Sequence, residues 1–223
     1  MLTKTDTIIL NVVPYSDNSL ILNLLTEELG KVSCMARVSH SKSAKNRSNI
    51  LQAGNILSCI IKLKEKSNVQ QLRDFEVLYA YGSVQSLPQK MAVLMFLLEV
   101  LQKTIAGNDI DKSLFSFVKT SFMWFDKAEK TSNFHLIFLV KLTQFLGFMP
   151  NTELSLLSEK VSDKFDIVEI VDNILSSEAF YPEINIVNGK SRSEFLDLIL
   201  EFYNLNLPNP VNFKSLDVLK AIF

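Results

Sequence analysis

Cysteine is scarce in this chain: 223 residues contain two, Cys34 and Cys59. Two thiols cannot build a disulfide framework or a four-thiolate zinc site. Histidine is equally rare, with His40 and His135 alone, and neither stands in a metal-binding or catalytic spacing. The six glycines are isolated. No phosphate-cradling loop can be drawn, which argues against NTPases and dinucleotide enzymes. Long apolar runs are missing too. The longest, Met91 to Leu98, falls far short of the roughly 20 residues that cross a bilayer. Near the N-terminus, Ile8-Ile9-Leu10 is too short for a signal-peptide core. These absences predict a soluble, cytoplasmic protein with reduced thiols, no membrane partner, no metal and no cofactor.

What is present is ordinary in bulk. Apolar residues make up 48% and charged residues 21%, as in a globular chain and unlike a disordered or fibrous one. The length predicts two domains. The two halves also read differently. Up to about Tyr81 the chain falls into short β-rich runs: Thr7–Val13, Ser19–Leu25, Lys31–Val38, Ile56–Leu63 and Val69–Tyr79. Pro14-Tyr15-Ser16-Asp17-Asn18 forms a turn between the first two. Five such strands in roughly 80 residues fit a small barrel of OB type, although strand count alone does not separate it from an SH3-like barrel.

From Pro88 onward the period becomes helical. Proline suits a first turn, where its missing N–H costs nothing. Met91, Leu94, Met95, Leu98 and Leu101 follow at three- and four-residue spacing, up to a stop at Gly107. Further helices are predicted over Lys112–Phe125, Ser132–Leu146 and Phe165–Leu175. Another follows the capping-box spacing Ser191-Arg-Ser-Glu194, with a short terminal helix over Phe213–Phe223. The expected class is therefore α+β: a five-stranded OB barrel over residues 1–81 and an all-α domain over 82–223.

The net charge of −1 conceals an asymmetry. Between Lys31 and Arg73 stand nine bases (Lys31, Arg37, Lys42, Lys45, Arg47, Lys62, Lys64, Lys66 and Arg73) against one acid, Glu65. Within this window, Ser39–Ser48 has no acid and almost no apolar side chain, so it reads as a mobile basic loop between strands three and four. Such a loop suits a polyanion, because each phosphate it neutralises releases condensed counterions. The candidate nucleic-acid contacts are Lys31, Arg37, Lys42, Lys45, Arg47, Lys62, Lys64 and Lys66. Base stacking reads as weak. The barrel's aromatics are Tyr15, Phe75, Tyr79 and Tyr81, and core packing is the simpler expectation for Phe75 and Tyr79. Cys34 and Cys59 read as buried small hydrophobes, and His135 as a packed histidine. No paired carboxylates or nucleophile–base pair stand out, so a binding protein is expected rather than an enzyme.

Several segments, taken in order, resemble the RecO family of bacterial recombination mediators, which act in DNA repair. Ile8–Leu22 is similar to that family's opening strand, turn and second strand, and Thr26-Glu-Glu-Leu-Gly-Lys31 to the following connection. Arg37–Arg47 resembles its basic loop, and Leu51-Gln52 the start of the next strand. Asn133–Leu139 with Leu146-Gly147-Phe148-Met149-Pro150, and Lys214–Leu219, resemble its helices. The resemblance implies an OB fold with a helical domain. It also implies binding of single- and double-stranded DNA, annealing of complementary strands, and loading of the RecA recombinase onto strands coated by single-stranded DNA-binding protein (SSB). The implied partners are DNA, RecR and the acidic C-terminal tail of SSB, with a nucleoid-associated location. Many members carry four zinc-binding cysteines after the Gly-Phe-x-Pro stretch. Here Asn151–Tyr181 contains none, which marks a variant without that zinc site. An apolar slot with a cationic rim would suit the tail, and Lys141 beside Phe138, Leu142 and Phe145 is the candidate. A competing reading is an OB-fold RNA-binding adaptor. A nuclease is disfavoured by the missing metal ligands.

Overall fold

The computed structural model describes residues 1–38, 49–105, 107, 109–148, 167–184, 186 and 188–222. Five strands, β1 (Leu2–Ser16), β2 (Ser19–Thr26), β3 (Gly30–Arg37), β4 (Ile56–Lys62) and β5 (Val69–Tyr79), close into a barrel in the order β1-β2-β3-β5-β4. This is the expected OB-type barrel. All neighbours are antiparallel except β3 and β5, which pair in parallel at Ser33–Val69, Cys34–Gln70 and Met35–Gln71. β1 is twice as long as its apolar run suggests, because it serves two partners. Leu2–Ile8 pair with β4 and Thr7–Ser16 with β2.

The barrel interior holds Ile9, Leu22, Leu24, Cys34, Ala36, Leu57, Cys59, Ile61 and Leu72. Leu51 joins them from the connection between β3 and β4. Ile8, Leu10 and Ile56 alternate with these inward residues, yet they are also buried. Helices cover them from outside: α1 (Pro88–Thr104) and α2 (Lys112–Lys127) form one compact unit with the barrel, Met1–Lys127. Pro88 stands in the first turn of α1, as expected. Burial runs almost all round α1, from Lys90 and Ala92 through Phe96 to Leu101, although Met95, placed in the expected apolar stripe, is exposed. Gly54 shows why the fit is close. Its φ is +90°, and a Cβ there would lie 2.7 Å from Leu94 Cδ2 of α1.

A buried carboxylate fixes the chain between β5 and α1. Asp126 of α2 accepts the backbone N–H groups of Gly82, Ser83 and Val84 at 2.8–2.9 Å and the Tyr79 hydroxyl at 2.9 Å. Burial would raise this carboxyl, but those donors hold it down at about 2. Beside it Lys90 is only 6% exposed; its Nζ donates to Ser83 Oγ and to the carbonyls of Phe125 and Asp126. Tyr79 therefore leaves the core position expected for it and serves this polar cluster, its ring edge-on to Tyr81. Phe75 does pack partly against the barrel core.

The second compact unit, Ala128–Phe223, contains α3 (Phe134–Leu146), α4 (Ile167–Ser176), α5 (Gly189–Asn206) and α6 (Leu216–Ile222). α3 is buried on nearly every side, and Gly147 ends it in the left-handed region at φ 80°. The Tyr203 hydroxyl of α5 donates to the Leu139 carbonyl at 2.7 Å, and Phe148 packs edge-on to Phe202 and Tyr203. The capping-box expectation is corrected here. α5 starts a turn earlier, because the Asn188 side chain accepts the Ser191 N–H at 2.8 Å and is itself the N-cap. An asparagine cap competes well with serine, and Gly189 and Lys190 fit the first turn that it opens. His135 is 2% exposed; burial first, then the nearby charge of Arg192, pushes its imidazole down to about 3, so it stays neutral.

Candidate nucleic-acid interface

The cations of the first unit divide into two groups. On the side covered by helices most are committed to the fold, although Lys4 of β1 is exposed. Lys31 Nζ donates to the carbonyls of Gln102 at 2.7 Å and Ile105 at 2.6 Å, closing the C-terminal end of α1. Lys119 pairs with Asp6, Lys112 with Glu28, and Lys90 lies in the Asp126 cluster. Lys31 is thus separated from the other expected contacts by a structural task.

The second group lies where β4, β5 and β3 run side by side. Lys62, Gln71 and Met35 occupy one lateral row across these strands. They alternate with the inward-facing Ile61, Leu72, Cys34 and Ala36, so their side chains point outward. Arg37 lies one outward position further along β3. The exposed Lys64 and Lys66 follow Lys62 in the β4–β5 connection. That connection is ordered by Gln70, whose Oε1 accepts the Lys64 N–H and whose Nε2 donates to the Ser67 carbonyl, both at 2.6 Å. Arg37, Lys62, Lys64 and Lys66 are exposed, and none forms an ion pair with a described residue. Arg73 is exposed on β5 close by. At strand spacings of about 4.8 Å, Lys62 and Met35 lie about 10 Å apart across β5. A strand of phosphates could follow such a row.

The remaining expected contacts, Lys42, Lys45 and Arg47, lie outside the described residues. The chain leading to them is anchored: Val38 N–H donates to the Asn18 carbonyl at 3.0 Å, on the β1–β2 turn. On the far side Leu51 enters the barrel core, and the Asn55 side chain donates to the Ile50 carbonyl at 2.7 Å. Val38 and Ile50, which flank residues 39–48, are therefore fixed to the barrel, Val38 beside Arg37.

The sequence of this barrel and its helices matches that of known proteins. Residues 1–81 match the family model for the N-terminal part of recombination protein O, and residues 85–167 match the model for its C-terminal part. The chain belongs to the RecO family. It is 29% identical over 245 residues to the DNA repair protein RecO of Bacteroides fragilis, 28% over 238 to that of Christiangramia forsetii, and 28% over 244 to that of Phocaeicola vulgatus. In each case both chains are covered completely.

The two thiols of this RecO-family sequence lie in the barrel strands. Cys34 and Cys59 are buried in the barrel. Burial pushes Cys34 up to about 12, with Cys59 adding to it, and pushes Cys59 up to about 11. They pack as neutral side chains. No group of His, Cys, Asp and Glu suited to a metal ion occurs among the described residues. No helix among them is long and apolar enough to cross a membrane.

The expected tail-binding residues of α3 are dispersed by its rotation. Phe138 and Leu142 are 0% exposed and belong to the core of the second unit. Lys141 and Phe145 are half-buried at its edge. Lys141 Nζ donates to the Ala179 carbonyl at 3.1 Å and lies 5.8 Å from the ring centroid of Phe180, which is 37% exposed. Sequence spacing placed apolar residues beside Lys141, but nearly complete burial of α3 turns them away from any surface slot. Phe180, brought to Lys141 from the chain between α4 and α5, could not be found from helical periodicity.

Proposed function

We propose that this protein is a recombination mediator that binds single- and double-stranded DNA through one side of its barrel. Arg37, Lys62, Lys64 and Lys66 contact phosphates there, joined by Lys42, Lys45 and Arg47. The observation that carries this reading is the division of cations. Most of those against the helices are bonded within the fold, whereas Arg37, Lys62, Lys64 and Lys66 at the β3–β5–β4 side face solvent. A patch of this kind lowers repulsion between two phosphate backbones, which is the physical basis of annealing. It reads no base edges, so sequence specificity is low.

In this reading the protein anneals complementary strands and, with RecR, helps load RecA onto SSB-coated DNA in the cytoplasm, at the nucleoid. It acts as a binding protein, without a catalytic site. The acidic SSB tail contacts Lys141, with the exposed ring of Phe180 as its apolar support. The test is fluorescence-monitored annealing of complementary strands precoated with the cognate SSB. Acceleration that vanishes when the SSB tail is deleted, and that falls for Arg37→Glu with Lys62→Glu, supports the reading. Unchanged annealing by that double variant refutes the DNA surface. Unchanged binding of a tail peptide by Lys141→Ala refutes the tail contact.

A further inference from the structure

The β1–β2 hairpin carries an aromatic ring that neither the barrel core nor the polar cluster uses. Tyr15 is 65% exposed. The other aromatics of the barrel are occupied: Phe75 leans on the core, the Tyr79 hydroxyl donates to Asp126, and that of Tyr81 donates to the Gly54 carbonyl. The orientation of Tyr15 has a backbone cause. The β1–β2 register is Pro14 with Leu20 and then Ser16 with Ser19, so Tyr15 is the extra residue of a bulge. Bulges re-aim a side chain out of the regular pleat. The position also matters. Ser16, Ser19 and Arg37 share one lateral row across β1, β2 and β3. At two strand spacings, that sets Arg37 about 10 Å from the residue next to Tyr15. The Val38–Asn18 backbone bond ties the start of the basic segment to the same turn. A large ring held outward at the margin of a cationic surface costs exposed apolar area, and nothing within the described fold repays it.

We infer that Tyr15 is a base-stacking platform, on which one unpaired nucleobase of a strand running from Lys62 to Arg37 comes to rest. The inference rests on the DNA surface proposed above and adds what that surface lacks: a contact that distinguishes an unpaired base from a bare phosphate chain. A duplex keeps its bases stacked on one another and offers the ring none. Stacking on an aromatic side chain tolerates any base, so the platform selects single strands without selecting a sequence.

The experiment uses the full chain and two labelled probes of equal length and charge, oligo-dT and its abasic analogue, read by fluorescence anisotropy. Replacing a stacking aromatic by alanine removes about 1–3 kcal/mol per base, a loss of about 5-fold to over 100-fold in affinity. Tyr15→Ala is expected to weaken oligo-dT by at least about 5-fold and to leave the abasic probe unchanged; Tyr15→Phe keeps the ring and wild-type affinity for both. If Tyr15→Ala leaves oligo-dT binding unchanged, or weakens both probes equally, the platform is refuted. The second outcome would mean that the ring supports the hairpin or a protein contact instead. Arg37→Glu with Lys62→Glu, measured on the same probes, keeps the two claims apart. Loss on both probes upholds the phosphate surface whatever Tyr15 does, and no loss on either refutes that surface and the platform with it.

Discussion

Replacing Asp126 by alanine should destabilise the first compact unit more than any single surface change. The magnitude follows from the site. A carboxyl held at about 2 rather than its ordinary 3.8 corresponds to about 2 kcal/mol of preferential stabilisation of the ion. Alanine also strands three backbone N–H groups and the Tyr79 hydroxyl. Some of these recover water, since Gly82 is exposed, which leaves a further cost of about 1–2 kcal/mol. The expected loss is about 3–4 kcal/mol, or a fall of about 10–15 °C in Tm for a unit of this size. The single tryptophan, Trp124, lies two residues from Asp126 on α2 and reports on this unit during urea unfolding. Asp126→Asn keeps an acceptor oxygen but not the charge and should lose about 2 kcal/mol. The pH dependence has a definite sign. A carboxyl whose folded value lies below its unfolded value adds stability above about pH 4 and loses it as pH falls toward 2. The gap between wild type and Asp126→Asn should therefore narrow over that window. A loss below about 1 kcal/mol for Asp126→Ala at pH 7, or a gap that does not narrow in acid, would refute this account of the cluster.

Three more outcomes are expected. Lys31→Met removes the ammonium from the Gln102 and Ile105 carbonyls; it should cost about 1–2 kcal/mol in urea unfolding while changing DNA affinity less than Lys62→Glu does. Gly54→Ala places a Cβ 2.7 Å from Leu94 Cδ2 at φ +90°; thermal melting followed by Trp124 fluorescence should show a loss of about 2–3 kcal/mol. Binding of single-stranded DNA, titrated at several salt concentrations, should give a log–log slope of about −3 if about four phosphates are neutralised. Removing Lys64 and Lys66 together should make that slope shallower by about 1.4.

The barrel was legible in the sequence because inward and outward residues alternate along its strands. Thr7–Leu10 broke that rule by burying both faces, and the reason lay in α1 and α2, which the strand pattern does not announce. The start of β1 was missed because Leu2–Asp6 is polar after its first residue; only its pairing with β4 makes it a strand. Helix existence followed from apolar spacing, whereas α5 began at Asn188 because several cap-forming residues compete there and only the folded chain decides among them. The basic window was visible as composition. What composition could not show is that Lys31 belongs to the helix end and Lys62 to solvent, because burial is set by distant elements. Phe138 and Leu142 failed as surface residues for the same reason: a helix buried on nearly all sides has no polar face to orient it. Tyr15 left one trace, an aromatic inside a turn-forming segment, but its outward aim depends on a bulge that spacing does not reveal.

The bonds of Lys31 and Tyr79, and the close approach of Gly54, to α1 and α2 bear on how much of the gene encodes an autonomous folding unit. A fragment ending at residue 81 would carry a lysine without its helix carbonyls, a glycine shaped for an absent leucine and a tyrosine without its carboxylate. It would also expose Ile8, Leu10 and Ile56 along one wall of the barrel. Such a fragment is built to aggregate, whereas one ending at Lys127 retains every one of these partners. During synthesis the barrel therefore gains its last partners only once α2 has emerged from the ribosome.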